Sequence, residues 1–254
     1  MRENTVKKTL LSGGTSVGTM VFEFNTTGIA RICAEAGADF FIADMEHTGW
    51  SIESIRALMA SAGGANTIPM VRVPATQYHL ISRPLDVGAM GIMVPMVEDE
   101  AQARTIANSV RYPPAGGRGC AFGVAHDDYT GGDVFAKMLQ ANDNVFTMAQ
   151  IETAKGVDNC EAIAAVEGID CLWVGHFDLT ASMGIAAQFD HPDFLAALDR
   201  VVAACNANGK VAGIMAGTPA VGKQWQNRGF RAIAYSGDLW ILQQAMAEGI
   251  AALR

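Results

Sequence analysis

The sequence predicts a single (β/α)8 barrel spanning residues 1–254, a closed ring of parallel strands sheathed in helices. Three observations lead there. Eight short apolar runs recur along the chain, at 15–22, 39–45, 67–73, 91–97, 145–152, 171–177, 210–216 and 231–236. Helix-patterned segments alternate with them, and several runs stop on or beside a charged side chain, where such barrels place their chemistry. The length of 254 residues is near the roughly 250 typical of the architecture.

Gly, Pro or a charged residue bounds each run. Runs such as IMVPMV and CLWVG are near-continuously apolar, as strands covered by helices on both faces must be. Helical patterning covers 51–63, 77–88, 98–110 and 191–209, with several segments opening on Ser, Asp or Glu and closing on Gly or Asn. Alternating strands and helices imply a parallel sheet. A doubly wound sheet is the alternative, but no GxGxxG follows the first run, and Gly13–Thr15 precedes a strand instead of joining strand to helix. The longest connection, 111–144 after the fourth strand, is rich in Gly, Pro and Asp and is expected to cover the mouth of the site or to pack on a neighbouring subunit. The closing segment DLWILQQAMAEGIAALR has apolar residues suited to burial within or between subunits.

Half the residues are hydrophobic and 17% are charged, which allows a large core. A net charge of -8 without a basic cluster excludes a general nucleic-acid binder. No apolar stretch approaches the roughly 20 residues that cross a bilayer, and MRENTVKKTL lacks a signal-peptide core, so a cytoplasmic protein is expected. The five cysteines are widely spaced and form no CxxC pair, which points to small buried hydrophobes rather than zinc or redox chemistry.

Glu152 and Asp178 close successive runs, so their carboxylates are expected to converge near the barrel axis. Two hard oxygen ligands with open positions suit Mg2+ or Mn2+; the alternative is that each caps the helix after it. Asp44, Glu46 and His47 cluster at the end of the second run, where an imidazole held by a carboxylate suits general-base work. Arg72 ends the third run, and its guanidinium needs an acid, with a salt bridge to Glu46 or Glu152 as one reading and enolate stabilisation as a compatible one. Gly175 and the backbone around Phe177 and Asp178 form a strand-to-helix turn whose N–H groups suit a substrate carboxylate. No lysine terminates a run, which leaves a Schiff-base route without a candidate.

The segments DFFIADMEH, PMVRVP, RPLDVGAMGIMVPMV, RYPPAGGRG, AQIET and VEGIDCLWVGHFDLTASMG, in this order, closely resemble the HpcH/HpaI family of metal-dependent pyruvate aldolases. The resemblance implies cleavage of 4-hydroxy-2-oxo acids to pyruvate or hydroxypyruvate and an aldehyde, with oxaloacetate decarboxylation or CoA-ester cleavage as neighbouring chemistries. It implies a divalent ion (Mg2+, Mn2+ or Co2+) on Glu152 and Asp178, His47 as base and Arg72 as enolate stabiliser. It further implies that Asp44 orients His47, that Asp86 of a neighbouring subunit approaches the same histidine, and that the N–H groups of Phe177 and Asp178 hold the pyruvate carboxylate. Met215 should face the substrate, although a methionine at a strand end also serves as core. A homohexamer built as a trimer of dimers is implied too, with the last helix packed on or swapped with a neighbour. Many relatives have Gly-Pro-Ala-Asp where this chain has Gly175-His176-Phe177-Asp178, and small or polar residues in place of Met45 and Trp50, so the aldehyde pocket is expected to differ.

Overall fold

Eight strands pair in parallel, in chain order, and the last returns to the first to close a barrel. They are β1 (Ser16–Val21), β2 (Phe40–Asp44), β3 (Ile68–Arg72), β4 (Gly91–Val94), β5 (Phe146–Ile151), β6 (Cys171–Val174), β7 (Val211–Ala216) and β8 (Ala232–Gly237) in a computed structural model that describes residues 1–254. Twelve helices accompany them: α1 (Thr5–Leu11), α2 (Ile29–Glu35), α3 (Ile52–Ala62), α4 (Tyr78–Asp86), α5 (Glu100–Val110), α6 (Val134–Asn144), α7 (Ala154–Asp158), α8 (Cys160–Ala164), α9 (His176–Ser182), α10 (Pro192–Ala207), α11 (Pro219–Arg228) and α12 (Asp238–Ala252). Every predicted run contains a strand, but two stop early. The run at 91–97 ends at Val94, because Pro95 has no N–H for a ladder, and the run at 171–177 ends at Val174, because Gly175 caps α9.

Alternation along the strands sorts the core into two layers. Phe40, Ile42, Ile68, Met70, Phe146, Met148, Cys171 and Trp173 fill the barrel interior, while their neighbours Phe41, Ala43, Val71, Ala149 and Leu172 face the helices. Glycines make room for the large interior rings: a Cβ on Gly213 would lie 2.4 Å from the Trp173 ring. The same parity carries Asp44, Arg72, Gln150 and Glu152 to the inner face at the C-terminal end. Strand ends converge there.

The opposite end is closed by α1, a short helix with no clear pattern in the sequence. Val6 and Leu10 of α1 join the barrel interior, and the Asn4 side chain, which caps α1, donates to Met90 O and Asn144 O just ahead of β4 and β5. The long connection belongs to this floor as well. Because α5 follows β4 directly, residues 111–133 start where α5 has already returned to the floor, so they do not cover the mouth of their own barrel. The segment is also more ordered than its composition implied: its last third is α6, started by the Asp133 side chain on Ala136 N–H. Buried Asp127 ties the remainder together, accepting from Gly123 N–H, Val124 N–H and Lys137 Nζ.

Candidate active site

Register decides the first half of the site. Asp44 and Arg72 are direct partners across β2 and β3, and Arg72 Nε donates to Asp44 Oδ1 at 2.7 Å. Asp44 is fully buried and saturated: Oδ1 also accepts Glu46 N–H at 3.0 Å, and Oδ2 accepts His47 N–H at 3.0 Å. The guanidinium reaches onward, with Nη1 3.2 Å from Glu46 Oε2 and its carbon 5.9 Å from the centre of the Phe22 ring. A nearly buried arginine is tolerable because two acids meet it. Burial pushes Glu46 up to about 7, with Asp44 and Asp178 adding to the rise and Arg72 opposing it. Its Oε2 receives no aligned hydrogen bond.

The imidazole of His47 lies near Glu46, beyond hydrogen-bond distance. Its Nε2 lies 3.7 Å from Glu46 Oε2, whereas Asp44 holds only the backbone of His47. The reason is that Arg72 and two backbone N–H groups occupy both oxygens of Asp44. The His47 side chain stays 57% exposed, open to a reactant at the mouth.

Glu152 supplies the second half. It follows β5 on the interior parity and is 2% exposed. Its Oε1 accepts Met96 N–H at 2.6 Å, and its Oε2 accepts the Gln150 side-chain amide. Burial, joined by repulsion from Glu46 and Asp178, raises it to about 7 against those two hydrogen bonds. Met96 holds a left-handed backbone (φ 55°) that a β-carbon disfavours, and this turn directs its N–H to the carboxylate. Ile151 pairs with Val174, which places Gly175 beside Glu152; a Cβ on Gly175 would stand 2.3 Å from Glu152 Oε2. Asp178 is exposed in the first turn of α9.

Glu152 and Asp178 fit a hard divalent ion. The donors are hard oxygens, and Asp178 and Glu46 both help to raise the Glu152 carboxyl, so the three acids share one field. No group of three or more His, Cys, Asp or Glu side chains is placed to hold a metal, so an ion on this pair would need further oxygens from water or substrate.

Other expected residues fall into place unevenly. Met215 is half-buried near the end of β7 and packs against the barrel interior. Phe177 is 60% exposed beside Asp178, and Gly175 starts α9 without a side-chain cap, which leaves the first N–H groups of that helix free. Asp86 lies at the floor end of α4, where Arg118 Nη2 donates to it at 2.6 Å, so within one subunit it stands apart from His47. Met96 and Gln150 were not among the expected residues. Gln150 is legible afterwards as the polar residue two before Glu152, and Met96 as the residue after the proline that ends β4.

A closed (β/α)8 barrel with buried acids, an arginine and an accessible histidine at the C-terminal end of its strands defines an enzyme of that architecture equipped for acid–base chemistry. The chain belongs to the HpcH/HpaI aldolase/citrate lyase family, whose model matches residues 19–244. It is 37% identical over 211 residues to a 5-keto-4-deoxy-D-glucarate aldolase of Shigella boydii, covering 83% of this chain and 81% of that protein. Two solved structures are similar throughout. An HpcH/HpaI aldolase from Desulfitobacterium hafniense superposes with a TM-score of 0.93 at 34% identity, covering 98% of this chain and 96% of the other. An HpcH/HpaI aldolase/citrate lyase family protein from Burkholderia cenocepacia gives 0.91 at 34% identity over 99% of each chain. The chain is thus a carbon–carbon lyase of the aldolase type.

Proposed function

We propose that the chain is a class II pyruvate aldolase, reversibly cleaving 4-hydroxy-2-oxo acids to pyruvate or hydroxypyruvate and an aldehyde. The observation that carries this reading is Arg72 locked between Asp44 and Glu46 beside the buried Glu152, a fixed cation next to a carboxylate pair suited to a metal. Glu152 and Asp178 would hold a divalent ion, Mg2+, Mn2+ or Co2+. Such an ion, when bound, supplies Lewis-acid stabilisation of charge developing on a 2-oxo acid. Arg72 adds fixed positive charge at the same developing oxygen. His47, through a water, takes the C4 hydroxyl proton in cleavage and returns it in synthesis. Backbone N–H groups of Phe177 and Asp178 are suited to the pyruvate carboxylate, and Met215 to the wall beside it.

The test is pyruvate-dependent aldol addition before and after chelation. Turnover should fall by at least about a hundredfold on chelation and return with Mg2+, Mn2+ or Co2+. Full turnover in a metal-free preparation would remove the role given to Glu152 and Asp178, and metal-dependent oxaloacetate decarboxylation without aldol addition would put decarboxylase chemistry in its place. No helix is long and apolar enough to cross a membrane. We assign the reaction to the cytoplasm, where unpaired thiols such as these five persist.

The same reading includes a homohexamer, a trimer of dimers. Helix α12 buries none of its residues and exposes Trp240, Ile241, Leu242, Met246 and Ile250, an apolar helix that needs a partner. An apolar groove between α2 and α12, lined by Val17, Ile29, Ile32 and Leu242, is the matching surface for a neighbour's helix. Light scattering should therefore give a mass several times the 26.8 kDa chain. A monomer would leave Asp86 without a histidine to approach.

A further inference from the structure

We infer that Asp238 and Phe22 are positioning residues for Arg72: the carboxylate at the start of α12 seats the β1–α2 connection, and the ring carried on that connection sets the guanidinium for catalysis. The inference rests on the pyruvate-aldolase reading, in which Arg72 meets the developing enolate oxygen, and it adds the groups that aim Arg72. Every contact involved lies within one chain and uses only residues 238–240 of α12, so none depends on what covers the later turns of that helix.

Parity along β1 brings Phe22 to the mouth. Met20 points into the barrel, Val21 faces the helices, and Phe22 turns inward again to pack on the interior residues. The guanidinium carbon of Arg72 stands over the Phe22 ring, 5.9 Å from its centre. Asp44 and Glu46 hold Arg72 through Nε and Nη1, but two points fix a line and not a plane. The aromatic face is the third contact, and it settles the tilt of the fork on which the direction of Nη2 depends.

The connection that carries Phe22 is pinned where strand-end loops are ordinarily mobile. Phe22 N–H donates to Asp238 Oδ1 at 2.9 Å, and the N–H groups of Glu23 and Phe24 donate to Oδ2 at 3.1 and 2.8 Å. Hydrogen bonds to an ionised acceptor are the strong ones. Phe22 is thus held twice, by Asp238 at its backbone and by Trp240 at its ring, edge to face at 5.1 Å.

The end of β8 is shaped to deliver that carboxylate. Ser236 is buried with a left-handed backbone (φ 50°), and the pairing of β1 with β8 shifts register between Gly18 and Met20, which sets Met20 opposite Gly237. A Cβ on Gly237 would stand 2.9 Å from the Phe22 ring and 2.8 Å from the Trp240 ring, so a side chain there would part the two rings from the turn. A strained serine and irregular pairing at a barrel rim are features that cluster beside active sites. Here they aim Asp238 at the β1–α2 connection. The metal pair stands on the other side of the ring: β5, which ends at Glu152, is four strands from β1, and Met96 and Gln150 brace its carboxylate independently. Loosening Asp238 or Phe22 should therefore impair enolisation and spare the metal.

The test follows exchange of the pyruvate methyl protons in D2O at saturating pyruvate and Mn2+, which reads enolisation with no aldehyde present, and Mn2+ affinity by calorimetric titration. The proteins are the wild type, Asp238→Asn, Phe22→Leu and Arg72→Lys, and each of the first two substitutions combined with Arg72→Lys. Exchange should fall by about ten- to a hundredfold in Asp238→Asn, as misplacement of a catalytic group by about 1 Å does, and by about three- to tenfold in Phe22→Leu. Mn2+ affinity should be unchanged in both. In the Arg72→Lys background neither substitution should lower exchange further, because residues acting through one shared group are not additive; a general defect of the fold would multiply the losses instead. Wild-type exchange in either folded variant, losses that multiply with that of Arg72→Lys, or Mn2+ affinity falling in step with exchange overturns the assignment while the aldolase reading stands. Should Asp238→Asn not fold, Phe22→Leu, alone and with Arg72→Lys, decides by the same criteria. Absence of exchange in the wild type overturns the aldolase reading, and the assignment falls with it.

Discussion

Lysine in place of Arg72 should cut aldol turnover by about a hundred- to a thousandfold, the range seen when one charge-stabilising donor is lost from an active site. The charge is retained in this variant, so the loss isolates geometry. Arg72 bonds Asp44 through Nε at 2.7 Å and faces Glu46 through Nη1 at 3.2 Å, which only a planar fork can do while keeping a further N–H for the reactant. A lysine ammonium is a point charge that must choose one acid. Buried Asp44 would then lose a partner, at about 1–3 kcal/mol of stability. Steady-state kinetics with a thermal melt separates the two effects: turnover near the wild-type value in a folded Arg72→Lys protein would show that the guanidinium serves only the fold.

The second large effect is expected at a residue with no side chain. Gly175→Ala should weaken metal binding by about ten- to a hundredfold, as disturbing the shell around a ligand does, and destabilise the barrel by about 1–3 kcal/mol through overpacking. The added methyl would stand 2.3 Å from Glu152 Oε2 and 2.9 Å from the Gln150 amide nitrogen. Glu152 cannot swing aside without giving up the Met96 N–H at 2.6 Å. Gly64 has open space where its Cβ would go, so Gly64→Ala is the matched control and should leave Mn2+ affinity unchanged. Equal affinities for the two variants in a calorimetric titration would mean that Glu152 does not bind the ion.

Legibility followed the physics of the strands. All eight were visible because a parallel strand covered on both faces needs an unbroken apolar run, and the polar residue that stops each run is readable as its end. His47, Arg72, Glu152 and Asp178 were accordingly found where runs stop. The apolar pattern overruns the end of β6 by three residues, since Phe177 prolongs it after Gly175 has already turned the backbone into α9. In the connection at 111–144 glycines and prolines mask the helical pattern of α6, and the return of α5 to the floor, which keeps the segment from the mouth of its own barrel, shows only in the structure.

The sequence by itself determined the barrel, the order of its elements, the polar residues that stand at the strand ends and the family to which the chain belongs. The tertiary structure alone decided which acid meets which base: that Asp44 takes Arg72 and leaves the His47 ring near Glu46, that Met96 N–H and Gln150 brace Glu152, and that Gly175 must lack a side chain. The reason is directional. When both faces of a strand are apolar, alternation disappears from the sequence, so a residue at a strand end is legible but the face it points to is not. That face, and the partner across the neighbouring strand, are fixed only when closure of the ring sets the register.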